Sequence, residues 1–228
     1  MWIVGHRGTR GIAPENTMKA INEGIKCADY VELDVRLSHD NAPVIIHDAR
    51  LDRTTSGTGH VNDLRLKDLR GLDAGDGEKI PTLEEVVPVV LHGGKGLFIE
   101  IKEPGSEKIV SSVLSNFQKV KIICVSFHSE SLAVMKSYLP DLQTGIIVPN
   151  NHKDHHFEEK RLLYDFILPR QDFLSHEFVR KAHDSGMQVI PWTLNRKAEL
   201  KRAISIGIDG VITDDPCNTL RIIKTIIS

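Results

Sequence analysis

Short apolar runs alternate with longer segments of helical periodicity along nearly the whole 228-residue chain. Runs such as Trp2-Ile3-Val4, Leu97-Phe98-Ile99 and Val189-Ile190 suit strands of a parallel sheet covered on both faces. The pattern predicts strands near residues 2–5, 30–35, 97–101, 121–126, 143–148, 165–168, 187–192 and 208–213, plus a short return strand at Pro43-Val44-Ile45-Ile46. Helices are predicted near 17–27, 82–91, 106–118, 129–138, 157–163, 175–184, 196–205 and 216–227. About eight βα repeats are what a (β/α)8 barrel needs to close.

End signals support individual elements. Ser175 can cap a helix in which Phe178, Val179 and Ala182 recur at helical spacing, and Gly186 terminates it. Asp215-Pro216 pairs an N-cap residue with proline in the first turn, where its missing N–H costs little, and Leu220, Ile223 and Ile227 continue an apolar stripe. The alternation breaks between Ala49 and Ile80, a stretch rich in charge, Gly and Thr. A loop that long is usually functional or disordered, and the short helical pattern within Asp63–Leu69 makes a small ordered cap over the catalytic face the expectation.

Composition narrows the function classes. Hydrophobic residues make up 40% of the chain, enough for the core of one barrel domain over residues 1–228 with its insertion at about 49–80. A formal net charge of -2 argues against an obligatory nucleic-acid or anionic-membrane partner, while leaving room for a small anionic substrate. Cys27, Cys124 and Cys217 are odd in number and form no CxxC pair, so they are expected to be reduced thiols rather than a disulfide or zinc framework. Met1 leads straight into the first strand, without a signal-like segment or a run of membrane-spanning length, and a cytoplasmic location without stable membrane association is expected.

The chemistry gathers at strand ends. Glu32 and Asp34 are two apart on a strand, so their carboxylates share one face. Glu100 and Lys102 share a face of a third strand by the same rule and bring another carboxylate and a cation toward the barrel centre. A Glu-x-Asp pair on a strand is most often solvent-facing, but inside a parallel barrel it must be neutralised, and three oxygen donors without a cysteine suit Mg²⁺ or Ca²⁺. His6 and His47 each close a strand, and taken singly each is as readily a core histidine as a catalytic one. The planar fork of Arg7 suits a phosphate, with a structural ion pair as the alternative, and Lys102 offers a point charge for the same group. Trp192 ends a strand where it can form a wall against a glycerol or alkyl group. The His-rich stretch from Asn150 to His156 lacks ligand spacing and reads as a solvated loop, and Gly93-Gly94-Lys95-Gly96 precedes a strand rather than a helix and reads as a turn.

The set Gly5-His6-Arg7-Gly8, Pro14-Glu15-Asn16-Thr17, Glu32-Leu33-Asp34-Val35 and His47-Asp48, in this order, resembles the glycerophosphodiester phosphodiesterase family. The likeness continues through Leu51-Asp52-Arg53-Thr54-Thr55, Ile80-Pro81-Thr82-Leu83-Glu84-Glu85, Phe98-Ile99-Glu100-Ile101-Lys102, Ser126-Phe127, Trp192-Thr193-Leu194-Asn195 and Asp209-Gly210-Val211-Ile212-Thr213-Asp214. It implies a TIM-type barrel with a small insertion after the second histidine motif, and hydrolysis of glycerophosphodiesters to sn-glycerol 3-phosphate and an alcohol with one divalent cation, Mg²⁺ or Ca²⁺. By motif, His6 and His47 correspond to the acid/base pair, Glu32, Asp34 and Glu100 to cation ligands, and Arg7 and Lys102 to phosphate contacts. Two departures stand out: Asp40-Asn41 where the family commonly has Asp-Gly, and Cys27 near a position where it often has glycine. Asparagine tolerates a left-handed turn, so the fold is unaffected.

Two other functions use the same barrel. A lysophospholipase D or phosphoinositide-type phosphodiesterase would favour an apolar mouth, whereas Asp52 to Lys79 is polar and charged. A non-catalytic phosphoester-binding barrel would be expected to lack one of the two histidines, and both are present.

Overall fold

The computed structural model describes residues 1–117, 121–149 and 163–227. Their strands are β1 (Trp2–Gly5), β2 (Tyr30–Leu37), β3 (Pro43–Ile45), β4 (Gly96–Ile101), β5 (Ile122–Ser126), β6 (Gln143–Val148), β7 (Phe166–Pro169), β8 (Gln188–Val189) and β9 (Gly210–Thr213). Eight run parallel in the order β8-β7-β6-β5-β4-β2-β1-β9, and β3 pairs antiparallel with β2 outside that ring. Backbone bonds from Asp209 N to Val189 O and from Ile212 N to Pro191 O, both 3.0 Å, join β9 to the β8 side and bring the ring round to closure. This is the expected parallel βα barrel.

Helices α1 (Met18–Gly24), α2 (Leu66–Leu69), α3 (Leu83–His92), α4 (Glu107–Leu114), α5 (Ser129–Tyr138), α6 (His176–Asp184), α7 (Lys197–Ser205) and α8 (Pro216–Ile227) lie close to the expected spans. The predicted caps form: Ser175 Oγ accepts from Phe178 N, Asp215 Oδ1 accepts from Asn218 N, and Gly186 ends α6 with φ 77°. Asn41 adopts φ 61°, the left-handed conformation required of the Asp40-Asn41 turn. The expected helix near 157–163 and the His-rich stretch at 150–156 fall on residues outside those described, apart from residue 163. β8 is shorter than the predicted 187–192, because Pro191 has no N–H to give to a ladder.

Strand alternation sets the two faces. On β2, Val31, Leu33 and Val35 point outward with Leu97, Ile99 and Ile101 of β4, forming the layer that the helices cover. The inward layer near the strand starts is aromatic: Tyr30, Phe98 and Phe166 pack with the half-buried Trp2, with Trp2–Tyr30 and Tyr30–Phe98 ring centroids 4.9 and 5.3 Å apart. Each fully buried ring contributes about 1.5–3 kcal/mol of apolar burial. These rings fill the barrel at the N-terminal ends of the strands, so the inward polar residues further along β2 and β4 face the opposite, C-terminal end.

The insertion forms the predicted ordered cap. A short 3-10 turn at Val61–Asp63 leads into α2, and Leu51, Val61, Leu69, Ala74 and Ile80 make a separate buried cluster with Val44 and Ile46. One expectation is overturned: Cys27 and Cys217 form a disulfide, with Cα atoms 5.0 Å apart across 190 residues of sequence, and of the three thiols only the buried Cys124 is free. β1 pairs with β9, so the turn after α1 and the start of α8 lie side by side on the barrel exterior. No sequence spacing encodes that adjacency. Among the described residues, no helix is long and apolar enough to cross a membrane.

Candidate active site

A cavity of about 210 Å³ opens at the C-terminal ends of the strands. One wall carries His6, Arg7, Glu32, His47, Glu100 and Lys102; the other is apolar, with Phe127 and Trp192 at its rim. Of the residues singled out in the sequence, only Asp34 does not reach the cavity surface, because it is 1% exposed and lies beneath the others.

The three carboxylates meet through strand register. Asp34 pairs with Glu100 and Glu32 with Phe98 across β2 and β4, so the period-two rule puts all three acids on the inner face. One oxygen from each of Glu32, Asp34 and Glu100 lies within 4.8 Å of the others, and among the described residues this is the one cluster of that kind. Their charges are unequal. Lys102 Nζ sits 2.7 Å from Glu100 Oε1 and 3.3 Å from Asp34 Oδ1. Asn16 Nδ2 donates to Asp34 Oδ2 at 2.8 Å, and Arg7 Nε stands 3.4 Å from the same oxygen. Burial disfavours the Asp34 anion, but Lys102 and Arg7 outweigh it and hold this carboxyl below the usual range. Burial pushes Glu32 well above its ordinary value, with repulsion from Asp34 and Glu100 adding to it. Glu100 is raised to about 7 by burial and then by Asp34.

Glu32 Oε2 accepts from Arg7 N at 2.9 Å, whereas its buried Oε1 has no hydrogen-bond partner among the described residues. A buried carboxylate oxygen without a donor is costly. An all-oxygen cluster with one orphaned lone-pair site therefore fits a hard divalent ion such as Mg²⁺ or Ca²⁺.

Each histidine is braced at Nδ1 and turned toward the cavity. His6 Nδ1 lies 2.7 Å from Asp214 Oδ1, and Asn195 Nδ2 holds the other oxygen of Asp214 at 2.8 Å. His47 Nδ1 lies 2.6 Å from Asp48 Oδ1, and Arg53 Nε grips Asp48 Oδ2 at 2.6 Å. Arg53 also bonds both oxygens of Glu15, which accepts from Arg7 at 2.6 Å. The cap is thus wired to His47 and Arg7 through one cation. A carboxylate on Nδ1 fixes the tautomer and leaves Nε2 to exchange a proton. Burial lowers both histidines below their ordinary value despite these carboxylates, so each is largely neutral at pH 7.

The chain entering α1 is shaped around Arg7. Arg7 and Asn16 hold left-handed φ angles of 51° and 59°, which aim the Arg7 N–H at Glu32 and the Asn16 amide at Asp34. Gly8, with φ 83°, packs so closely on α1 that a Cβ there would come within 2.6 Å of the Ala20 carbonyl carbon. Trp192 Nε1 donates to Leu168 O at 2.8 Å, which fixes the indole, and Phe127 stands edge-on to it with centroids 6.1 Å apart.

The sequence pattern leaves the partners of these groups unassigned. Asp48 follows His47 directly, and Asp214 follows β9, the strand beside β1, where the strand-end rule applied to the last strand finds it. Glu15 and Asn16 lie in the Pro14-Glu15-Asn16-Thr17 motif, which assigns them no individual role, and nothing local marks Arg53 as a bridge between Asp48 and Glu15.

The model of the glycerophosphoryl diester phosphodiesterase family matches residues 6–218. A glycerophosphodiester phosphodiesterase of Caldanaerobacter subterraneus is 34% identical over 237 residues, covering 97% of each chain. One from Bacillus subtilis is 32% identical over 93% of this chain and 83% of its own. Among solved structures, a phosphodiesterase from Oleispira antarctica, in complex with the product sn-glycerol-3-phosphate, superposes with a TM-score of 0.92 at 30% identity, covering 100% of this chain and 97% of its own. With the matched segment running from the first histidine at the mouth of the barrel into its last helix, the chain belongs to the glycerophosphoryl diester phosphodiesterase family.

Proposed function

We propose that this chain hydrolyses glycerophosphodiesters to sn-glycerol 3-phosphate and an alcohol with the help of one divalent cation, using His6 and His47 as the acid/base pair. One observation carries the reading: two imidazoles, each held at Nδ1 by its own carboxylate, share a cavity with a buried three-carboxylate cluster that has an orphaned oxygen. The relatives named for this activity, and the product seen in one of them, support it.

Glu32, Asp34 and Glu100 would hold the ion, which when bound supplies Lewis-acid stabilisation of the phosphoryl oxygens. Arg7 and Lys102 line the same cavity and add positive charge beside the anion. His6, neutral at Nε2, takes the proton of the attacking hydroxyl; His47 acts in its protonated form, an imidazolium held at Nδ1 by Asp48, and delivers its Nε2 proton to the departing alkoxide. Such positioned proton transfers contribute about 10² to 10⁴ each in rate. Trp192 and Phe127 shield the glycerol backbone from water on the apolar side. Attack by the glycerol 2-hydroxyl gives a cyclic phosphate that water then opens; attack by water gives the monoester directly.

The test is release of glycerol 3-phosphate, followed with a coupled dehydrogenase, across a panel of headgroup diesters with Mg²⁺ or Ca²⁺. A transient cyclic phosphate distinguishes the two routes. Absence of turnover with every diester and ion would overturn the proposal and leave a phosphoester-binding barrel. A cytoplasmic setting loses the support of reduced thiols, since Cys27 and Cys217 are bonded to each other.

A further inference from the structure

The catalytic cavity, at about 210 Å³, is smaller than the roughly 300–1,000 Å³ of pockets that take a whole drug-sized ligand. It suits the glycerol phosphate part of a diester and leaves the alcohol to extend outside. Beside it, between the loop after β1 and the cap, lies an open groove of about 520 Å³ whose lining shares Arg10 with the cavity. The groove is on the His47 side: Arg53 lines it, and the same guanidinium holds Asp48, the partner of His47.

Its chemistry is specific. The Thr54 hydroxyl has no hydrogen-bond partner among the described residues, and Ser56 Oγ accepts from Asp73 N at 3.0 Å while keeping its proton to donate. Asp73 uses Oδ1 for the N–H groups of Gly75 and Gly77 at 2.7 and 3.1 Å, which fixes the carboxylate and leaves Oδ2 to accept. Among the described residues Arg10 pairs only with Asp214, at 3.5 Å through Nε, and so retains donors. Donors and an acceptor lining one groove match vicinal hydroxyls, each of which donates and accepts. Among the described residues no aromatic ring lines the groove, so they offer no π-face of the kind that recognises a quaternary ammonium.

We infer that this groove is the subsite for the leaving alcohol and that it selects polyhydroxy headgroups, such as glycerol or a cyclitol, over choline. The inference rests on the proposed diesterase activity. It assigns Thr54, Asp73 and Arg10 to specificity rather than to the chemical step.

The experiment compares kcat/KM for glycerophosphoglycerol, glycerophosphoinositol, glycerophosphoethanolamine, glycerophosphocholine and glycerophosphomethanol, the last too short to enter the groove. Wild type should prefer the two polyol diesters over the choline diester by about tenfold or more. Thr54→Val and Asp73→Asn, each checked for an unchanged melting midpoint, should each lose several-fold on polyol diesters, the size of a hydrogen bond or two. Both should stay within about twofold of wild type on the methyl diester. Equal or better turnover of the choline or ethanolamine diester, or variants that slow all substrates alike, would overturn the subsite while leaving the diesterase reading intact. Silence toward every diester would instead overturn the diesterase reading, and the subsite with it.

Discussion

Asp214 Oδ1 and His6 Nδ1 stand 2.7 Å apart although 208 residues separate them in the chain. The contact exists because β1 pairs with β9 in register Gly5 to Thr213, which sets the residues after each strand side by side. Asp214 is itself oriented by Asn195, so the imidazole is held in one tautomer with Nε2 directed at the cavity. Asp214→Asn should therefore lower kcat on the order of 10²-fold while changing KM little, since the wrong tautomer removes a proton acceptor rather than a binding contact. Steady-state kinetics and a melting curve on the same preparation check this. A variant with full kcat would show that Asp214 does not position His6.

His6→Ala and His47→Ala should each reduce kcat by about 10² or more with the melting midpoint nearly unchanged, and the double variant should be scarcely worse than either single one. A histidine whose role were structural alone would behave in reverse: its truncation would destabilise the fold by about 1–3 kcal/mol without slowing the folded molecules.

The carboxylates should separate in stability although all three are expected to bind the ion. Asp34 is 1% exposed and compensates two buried cations, so Asp34→Asn leaves Lys102 and Arg7 short of a partner and should cost about 3–5 kcal/mol. Glu32 has an orphaned oxygen and two acidic neighbours, so Glu32→Gln should raise the midpoint of the ion-free protein while weakening divalent-ion binding. Chelator-treated samples, melted and then titrated calorimetrically with Mg²⁺ and Ca²⁺, measure both quantities. Equal destabilisation by the two substitutions would contradict the charge distribution described for the site.

The raised carboxyls fix the sign of the pH dependence. Glu100 titrates at about 7 in the fold, against about 4.3 when unfolded, so the stability held by its protonated form is complete below the unfolded value and disappears as pH rises through about 7. Glu32 is shifted in the same direction. An entering cation must displace those protons. The ion-free protein should melt lower at about pH 8 than at about pH 6, and saturating Mg²⁺ or Ca²⁺ should raise the midpoint more at the higher pH. Thermal shifts of equal size at the two pH values would sink this expectation.

Reduction of the Cys27–Cys217 bond should lower the melting midpoint, since a link across 190 residues constrains the unfolded chain; stabilisation by such bonds is typically about 2–4 kcal/mol. Cys27→Ser should reproduce the loss without reductant. An unchanged midpoint in the variant would show that the bond contributes nothing to the fold.

By itself the sequence determined the strand ladder, the cap and the inward acids, because periodicity is a local property. Glu32, Asp34 and Glu100 share a face as a consequence of residues two apart pointing the same way, and the apolar runs around them require a parallel barrel to cover both faces. His6, His47, Lys102 and Trp192 were legible because strand ends converge at one rim of such a barrel. What only the tertiary structure decided is which distant groups touch: Asp214 on His6, Arg53 between Asp48 and Glu15, and Cys27 on Cys217. Those contacts depend on which strands are neighbours when the ring closes, on how the cap folds over the first loop, and on the left-handed turn at Arg7. No spacing along the chain carries that information, and it is these contacts that orient the two imidazoles and tie the cap to the site.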